Sequence, residues 1–478
     1  MLKRKDLLRK SFTLFLASVL TVGVFLFLPV SASVAVDEVN YDFIEPVEHE
    51  NDIPEGFTAI HTPEDLDAVR SNLSGKYILM NDIDLAEFGS WIPIGIDTNL
   101  LTSGNSEPFT GVFDGNGFVI KNLNILEFDP DNYGVGLFGV MSSATVKNLG
   151  LSSINIDITA EAAVISVGSI AGRATGSTIH NCFVSGSIKI STSKELNGRT
   201  FISFVGGVMG SDDSAAITTT PQYTEISSCC NLTNIISTTN AIMPSIYIYS
   251  VHTGGIAGIG ANIEKCYNKG TIRSVTESNI SVGVGGIAGY SEGHKYIKSN
   301  IKQCYNTGAL EGISEGTLYI GGISGRDGRV VECYNTGNIV ATAEQQLCQG
   351  GIMGHVINYG LVPMSIDHSS TVKTDSSVEN CYYSNDNIPL IGGSGATDSP
   401  SKLSDEQMRQ QESFVDFDFE KIWVMPDDGG YPVFKSAAPE VTTDPDPDPV
   451  DLKCWEKLPG WLQWILRIFL FGWIWMRS

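Results

Sequence analysis

Val284-Gly285-Gly286-Ile287-Ala288-Gly289 and Cys304-Tyr305-Asn306-Thr307-Gly308 are two motifs that recur together along most of this chain. Self-similarity every few tens of residues is typical of solenoids and repeat arrays. Close copies of the pair lie at 253–258 with 266–270 and at 320–325 with 333–337, and looser copies lie at 167–172 with 182–183, 205–210 with 229–231 and 349–354 with 381–382.

The spacing of the repeats favours β-structure. The last glycine of each step stands at 172, 210, 258, 289, 325 and 354, an irregular spacing that suits a β-solenoid with corner loops of variable length. Residues between the steps alternate as in a strand, for example Thr317-Leu318-Tyr319-Ile320. We expect glycine and the Asn-Thr-Gly or Asn-Lys-Gly turns to supply positive φ at the corners.

The cysteine and tyrosine of each unit are predicted to form columns, because stacked strands bring matching residues about 4.8 Å apart. Two interpretations of the nine cysteines stay open. They are either small buried hydrophobic residues or disulfides between neighbouring turns in an exported protein. Metal binding is disfavoured, because no C-x-x-C pair occurs and the His residues are scattered.

The two termini resemble targeting segments. Residues 1–35 predict a signal peptide, with a basic start, an apolar run at 12–28 and small residues at the cleavage site; an uncleaved anchor is the alternative. Residues 36–55 are a predicted linker. The formal net charge of −24 argues against nucleic acid as a partner.

At the other end, 438–453 is a predicted acidic Pro/Asp linker, and 454–478 is a Trp-rich hydrophobic segment. Its apolar stretch at 461–476 is short for a span, so it indicates an interfacial or marginally spanning membrane anchor. The alternative is a hydrophobic cap on the end of the solenoid.

Both ends of a β-solenoid need caps. Thr62-Pro63-Glu64-Asp65 predicts a short helix running toward Arg70, and Ser404-Asp405-Glu406-Gln407 has the spacing of a capping box. Residues 414–434 read as a closing aromatic cluster. We therefore place the solenoid at 56–395 and its C-terminal cap at 396–437.

These residues resemble the GLUG-motif repeat of bacterial surface proteins. Besides the repeats, the entry segments Trp91-Ile92-Pro93-Ile94-Gly95 and Gly136-Leu137-Phe138-Gly139 are similar to those of the family. The resemblance covers about 56–436, and its relatives include adhesin-like proteins and extensions of IgA-cleaving proteases. It implies an all-β fold, a right-handed parallel β-helix with short capping helices, at a bacterial surface. Two units depart from the pattern at Ser169 and Cys230, and we expect distortion or insertions there.

The sequence offers no established catalytic signature. His49-Glu50-Asn51-Asp52 does not complete the zinc-protease motif, and 392–395 reads as a flexible turn. The carboxylates that could serve a glycosidase are Asp82, Asp84, Asp114, Asp212 and Asp213, and a structural or solvated role is favoured for each. We expect no catalytic, cofactor-binding or metal-binding residue and no cofactor.

The sequence thus predicts a non-enzymatic, adhesin-like surface protein whose solenoid loops bind glycans or extracellular proteins. The alternative is a polysaccharide lyase or glycoside hydrolase on the same scaffold, because fold alone does not give function. We expect specific contacts in the irregular loops 211–223 and 356–377.

Overall fold

The computed structural model describes residues 44–97, 106–127, 133–160, 164–192, 201–212, 223–240, 249–291, 293–294, 297–356, 376–385, 388–392 and 401–435. The predicted signal peptide, the acidic linker and the Trp-rich segment lie outside these residues. Within them, no helix has the length and apolar character needed to cross a membrane.

The described chain is a parallel β-helix, as expected. Between Val112 and Met353 each coil passes in turn through four sheets, which we call A, B, C and D, and then returns to sheet A one layer further along. Every pairing of strands within these four sheets is parallel among the described residues.

Strands of sheet A are Phe57–Ile60, Lys76–Leu79, Val112–Asp114, Thr145–Lys147, Thr178–His180, Glu225–Ser227, Asn262–Glu264, Asn300–Lys302, Arg329–Val331 and Ser377–Glu379. Those of sheet B are Ile83–Asp84, Val119–Lys121, Asn124–Ile125, Gly150–Ala160, Phe183–Thr192, Cys230–Thr239, Tyr267–Asn268, Ile272–Thr276, Tyr305–Asn306, Leu310–Ser314, Tyr334–Asn335, Ile339–Ala343 and Tyr382–Tyr383.

Strands of sheet C are Gly134–Val135, Val164–Val167, Phe201–Gly206, Tyr249–Gly254, Ser281–Gly285, Thr317–Gly321 and Gln346–Gly350. Those of sheet D are Phe138–Ser142, Ala171–Thr175, Met209–Asp212, Ala257–Ile259 and Ala288–Tyr290, continued by bridges at Ser324, Met353 and Ile391. Three short antiparallel hairpins pair Ile96–Asp97 with Ser106–Glu107, Gly293–His294 with Ile297–Lys298, and Trp423–Val424 with Val433–Phe434.

Columns of identical or similar side chains form the core. In sheet A the central inward residue is aliphatic in coil after coil, because the strand alternates between core and solvent. The column runs through Val146, Ile179, Ile226, Ile263, Ile301 and Val330, all buried. A solenoid core therefore grows along one axis and needs no central globule.

The predicted cysteine and tyrosine columns are confirmed. The backbone N–H of Cys266 donates to Sγ of Cys304 at 3.4 Å, and the Cys304 N–H donates to Sγ of Cys333 at 3.3 Å. Tyr305 stacks on Tyr334 with ring centroids 5.0 Å apart. All eight cysteines in the described part of the chain are buried free thiols, which is the buried-thiol interpretation.

Asparagines of the repeat form a hydrogen-bonded ladder inside the coil. Nδ2 of Asn268 donates to Oδ1 of Asn306 at 2.7 Å, and Asn306 donates in the same way to Asn335. Nδ2 of Asn306 also donates to the carbonyl of Gly308, two residues on, at 2.9 Å. Each buried amide thus bonds both its own turn and the next coil, which offsets the cost of burying it.

The repeat glycines fit this ladder rather than supplying positive φ. A Cβ on Gly286 would overlap the carbonyl oxygen of Gly322 and the side chain of Asn306, and the other steps are similarly tight. Positive φ lies instead at the residue before each cysteine, for example Lys265, Gln303 and Glu332. Our expectation that glycine and Asn-x-Gly provide positive φ is therefore wrong for these repeats: close backbone approach requires the glycine.

Two irregular units keep the pairing of the repeat residues, and the second carries the expected insertion, the long connection 213–222 before Cys229-Cys230. A shift in strand register lies beside the first, between Leu151 and Ile154.

Ser169 occupies the place of the second glycine, and its N–H donates to the carbonyl of Gly207. In sheet B of the Ser169 coil, Val184 occupies the position of the repeat asparagine and pairs with Asn231 of the next coil. Cys230 takes the tyrosine position, in register with Tyr267.

The N-terminal end carries the predicted helix. It spans Pro63–Asp67 and continues as the 3₁₀ turn Ala68–Ser71. Thr62 caps it, and the Thr62 and Asp65 side chains each accept the backbone N–H of the other residue. The apolar side of this unit, Leu66 and Val69, is buried in the core.

Part of the predicted linker lies against the solenoid as a strap, residues 44–50. The Asn181 side-chain amide bonds both the N–H and the C=O of Glu45, each at 3.0 Å. The Asn116 side-chain amide likewise accepts the N–H of Glu50 at 2.6 Å and donates to its C=O at 3.0 Å. Both asparagines are corner residues with positive φ, so the strap runs lengthwise over successive corners.

The C-terminal unit begins with the 3₁₀ turns Gln407–Arg409 and Gln411–Ser413, and Ser404 and Gln407 make the reciprocal bonds of the expected capping box. Its aromatic cluster does not sit only on the last coil. Trp423 lies 6.1 Å from Tyr305 and 5.9 Å from Tyr334, and Phe434 lies 6.4 Å from Tyr267. The cap therefore folds back along the tyrosine column.

We predict that Asn306→Ala lowers the free energy of unfolding by about 2 kcal/mol, because it breaks buried hydrogen bonds on both sides of the ladder. Denaturant titration followed by circular dichroism measures the change. The matched control is Asn338→Ala at an exposed position, which should change stability by less than about 0.5 kcal/mol. Equal effects of the two substitutions would contradict a stabilising ladder.

Candidate binding surface

Three long connections leave the coil between sheets D and A; connections of similar length also join sheets B and C, at 193–200 and 240–248. The chain leaves sheet D at Asp212, at Tyr290 and after Met353, and re-enters sheet A at Glu225, Asn300 and Ser377. The coils between them turn with few residues, as at Gly260-Ala261. The three long connections thus start about 10 Å apart, twice the strand spacing, along one edge. We call this edge the D–A corner.

The loops 211–223 and 356–377, in which we expect function, both belong to the D–A corner. Much of each lies outside the described residues, as do 292 and 295–296 of the third connection. The placement of their ends is nevertheless fixed by strands that the structure describes. Function located there stays a prediction.

A stack of aromatic rings and one guanidinium joins the edge where the chain leaves sheet D to sheet C. Tyr290, Arg326 and His355 belong to that edge, whereas His252 and Tyr319 belong to strands of sheet C. His252 lies 5.0 Å from Tyr290, and Arg326 lies over the rings of Tyr290 and Tyr319 at 5.0 and 5.4 Å. Tyr319 stacks in turn on His355, at 5.2 Å and 11°. Tyr290, Tyr319, Arg326 and His355 are partly exposed, so the edges of the stack face outward from a rigid base.

Hydrogen bonds hold the guanidinium in the stack. Nε of Arg326 pairs with Oδ2 of the buried Asp327 at 3.2 Å. The Asp327 N–H donates to the carbonyl of His355, and the Ser324 hydroxyl donates to the carbonyls of Arg326 and Asp327. This network ties the corner of one coil to the next, so the stack is preorganised.

His252 forms the buried base of the stack. It is in register with Phe204 and stacks on it at 5.9 Å. Burial, reinforced by the positive Arg326, lowers the pKa of His252 to about 3. The imidazole is therefore neutral at physiological pH, and Arg326 carries the positive charge of the stack.

Candidate carboxylates near the entry of the coil have structural partners. Asp82 pairs with Lys121 at 2.7 Å, and Asp84 accepts the N–H of Ala86 and the amide of Asn122. The Asn122 and Ala86 hydrogen bonds lower the pKa of Asp84, which holds it ionised rather than poised as an acid. These contacts support the structural interpretation of both residues.

The other candidate carboxylates also serve the backbone. Asp114 accepts the N–H of Asn116 at 2.9 Å and pairs with Lys147 at 2.9 Å. Asp212 accepts the N–H of Thr224 at 2.6 Å and thus joins the two ends of a long connection. Asp213 lies outside the described residues.

The His49 motif also has structural contacts. The imidazole of His49 hydrogen-bonds the backbone carbonyl of Asn116 and stacks on the ring of Phe118.

No group of three or more His, Cys, Asp or Glu is arranged to hold a metal ion within the described ranges. What the D–A corner offers is different chemistry. It presents planar aromatic edges beside a fixed guanidinium, which can donate to hydroxyl, carbonyl or carboxylate oxygens. Aromatic and guanidinium groups of this kind commonly contact polar ligands.

Comparison with known proteins confirms the resemblance to GLUG-motif proteins. Residues 163–190 match the model of the GLUG motif. The chain is 32% identical over 134 residues to halomucin of Haloquadratum walsbyi, an alignment that covers 26% of this chain. The chain spans only 1% of the length of halomucin.

Two solved structures are similar in fold to this chain. One is a candidate immunoglobulin A1 protease from Bacteroides ovatus, at 20% identity and a TM-score of 0.46, covering 83% of this chain and 99% of that one. The other is an IgA1 protease, at 16% identity and a TM-score of 0.37, covering 73% and 23%. Identities this low carry no statement about the activity of this chain.

Sequence reasoning did not find the stack. Its members are separated by tens of residues, and only the alignment of coils brings them together. The available signal was the aromatic or basic residue that follows four of the six glycine steps, at Arg173, Tyr290, Arg326 and His355.

We predict that His252 makes the protein acid-sensitive. In the unfolded chain a histidine protonates below about pH 6.5, whereas the folded protein keeps His252 neutral down to about pH 3. The free energy of unfolding therefore decreases as the pH falls below about 6.5. His252 alone lowers it by about 2 kcal/mol at pH 5.

His252→Phe should remove this part of the acid sensitivity. Denaturant titrations at pH 7 and pH 5 would measure it, with the exposed His61→Phe as the control. If the wild type and His252→Phe lose the same stability between these pH values, His252 is not a buried neutral imidazole.

Proposed function

We propose that this chain is a non-enzymatic, exported surface protein that binds glycans or extracellular proteins at the D–A corner. The observation that carries the proposal is the coincidence of two features at one edge. Three long connections start there, and Tyr290, Arg326 and His355 of the stack lie where the chain leaves sheet D, next to Tyr319 of sheet C. Rigid scaffolds that display variable loops are a common design of binding proteins.

The chemistry of the corner supports a polar ligand. Tyrosine and arginine are enriched where proteins recognise partners, because they combine apolar area with hydrogen-bonding groups. A fixed guanidinium also bonds carboxylates in a bidentate manner. We therefore expect acidic glycans or acidic protein segments to bind more tightly than neutral ones, despite the net charge of −24.

The proposed location rests on the sequence and on the relatives. Residues 1–35 have the pattern of a signal peptide. The GLUG motif and the similarity to halomucin support an extracellular or cell-surface position. The Trp-rich segment 454–478 is proposed to hold the protein at a membrane.

A glycan and matrix-protein array tests the binding site. We expect that replacing 213–222 by a short Gly-Ser linker, or substituting Arg326→Gln, weakens binding of the best ligand about tenfold, the loss of one charge-assisted bond. The matched control replaces 193–200, a connection of similar length between sheets B and C. That variant should bind like the wild type.

The same experiment can overturn the proposal. If the control and the D–A variants lose binding equally, the ligand does not contact this corner. Incubation with pectins and host glycans addresses the enzymatic alternative. Release of new reducing or unsaturated ends would show a polysaccharide-active enzyme instead.

Fractionation tests the proposed anchor. We expect the full-length chain in the membrane fraction and a chain lacking 454–478 in the medium, because the Trp-rich segment supplies the apolar area for membrane binding. A control that deletes only the linker 438–453 should stay with the membrane. Equal release of the full-length and truncated chains would contradict the anchor.

A further inference from the structure

The last coil of the solenoid is shorter than the coil before it. In the earlier coil the chain passes from Asn335 through strands Ile339–Ala343 and Gln346–Gly350 before it reaches Met353. In the last coil it passes from Tyr383 to Ile391, which pairs with Met353. Too few residues lie between them for two further strands. The solenoid therefore ends in a step.

Two strands form the edge of this step. Ile339–Ala343 pairs with Leu310–Ser314, and Gln346–Gly350 pairs with Thr317–Gly321. Within the described part of the chain no strand pairs with the other side of either one. An open strand edge is a template for another chain.

The direction of the hydrogen bonds identifies the outward-facing groups. The Leu310 N–H donates to the Asn338 carbonyl, and the Glu344 N–H donates back to Ser314. Groups alternate along a strand, so the backbone groups of Ala341 and Ala343 point outward from the step. The Ile339 carbonyl also points outward and accepts the side-chain amide of Gln349.

Side chains at the step are exposed where the preceding coil is covered. Leu347 is 41% exposed, whereas Leu318, its partner in the preceding coil, is 0% exposed. Val340 is 53% exposed because it belongs to the outward face of sheet B, where it pairs with Glu311. An added strand would extend these columns and bury part of this apolar area.

A column of acidic residues lies at the tip of the step. The N–H groups of Glu277, Glu315 and Glu344 donate to the carbonyls of Thr239, Thr276 and Ser314, each in the preceding coil. The three glutamates are exposed and recur at successive strand spacings of about 4.8 Å. Like charges opposite one another are unfavourable. The position beside Glu344 on an added strand therefore favours a cation.

The edge lacks the usual protection against pairing. Lysine and proline commonly blunt exposed edge strands. Residues 337–352 contain neither lysine, arginine nor proline. The charge that is present, Glu344, repels acidic chains and attracts basic ones. A second copy of this chain, with a net charge of −24, is disfavoured by the same electrostatics.

We propose that Ile339–Ala343 is a docking edge for an extended basic peptide from a partner protein. The peptide adds as a parallel strand, with a β-branched residue beside Val340 and a lysine or arginine beside Glu344. Because the pairing is parallel, the basic residue stands at the C-terminal end of the bound segment. The inference deepens the proposed binding function, since it names a partner class at a second surface.

Fluorescence polarisation with synthetic peptides tests the edge on the full-length chain in mild detergent. The probe is a labelled ten-residue peptide of alternating valine and threonine that ends in two lysines. Two control peptides carry the lysines at the N-terminus or have glutamates in their place. We expect the C-terminal lysine peptide to bind at least about tenfold more tightly than either control.

Three variants, one of them a control, separate the backbone contribution from the charge. Ala341→Pro removes an outward N–H without breaking the ladder to Leu310–Ser314, and should weaken binding of the probe about tenfold. Ala341→Ser keeps the N–H and should bind like the wild type. Glu344→Lys should reverse the preference and favour the glutamate peptide. Unchanged melting temperatures would show that all three variants fold.

Several outcomes would overturn this proposal. Equal binding of the probe by the wild type and Ala341→Pro would exclude pairing at this edge, as would equal binding of all peptides. Oligomers that Ala341→Pro abolishes would identify a second copy as the occupant instead. If array ligands bind the D–A corner while the probe does not bind, only the edge proposal fails; if neither binds, the proposed function fails too.

Discussion

The parallel backbone pairing between coils is the constraint on which the rest of the structure depends, because it sets the strand spacing along the solenoid. From Asn231 to Asn335 an asparagine ladder reinforces it. Asn306 bonds Asn268 and Asn335 in the adjacent coils, and it approaches Gly286 so closely that any Cβ there would overlap it. The amide thus supports both the close approach of the sheets and the alignment of successive coils. Val184 replaces the asparagine where Ser169 replaces the glycine, whereas Tyr383 replaces the asparagine where Gly351 is retained. The cysteine and tyrosine columns follow from this register.

Much of the fold could be predicted from the sequence because the repeat carries local information. Strand alternation, the Thr62 cap and the columns of cysteine and tyrosine all depend on residues within one unit. The corner residue with positive φ could not be predicted, because Lys265, Gln303 and Glu332 share no chemical property that favours it. The surrounding hydrogen bonds impose that conformation.

The candidate site is a property of coil alignment and not of a motif. Tyr290 and Arg326 come from different coils, and connections of unequal length lie between them. The residues that come into contact cannot be deduced from the sequence until the register between coils is known. The same holds for the step, which exists because the last coil omits two strands. Function in such a protein therefore changes by altering loop length and coil truncation, while the core motifs stay the same.

The strap and the aromatic cap also change how the rod resists force. In a simple solenoid each coil contacts only its neighbours, so coils can detach one by one. Here the strap joins corners from Asn116 to Ser228, and the cap joins tyrosines from Tyr267 to Tyr382. Each acts as a brace along the axis and binds several coils into one mechanical block. Among the described residues, neither the strap nor the cap joins the coil that contains Cys230 to the coil that contains Tyr267. We therefore expect a rod pulled from its ends to separate first between these two coils.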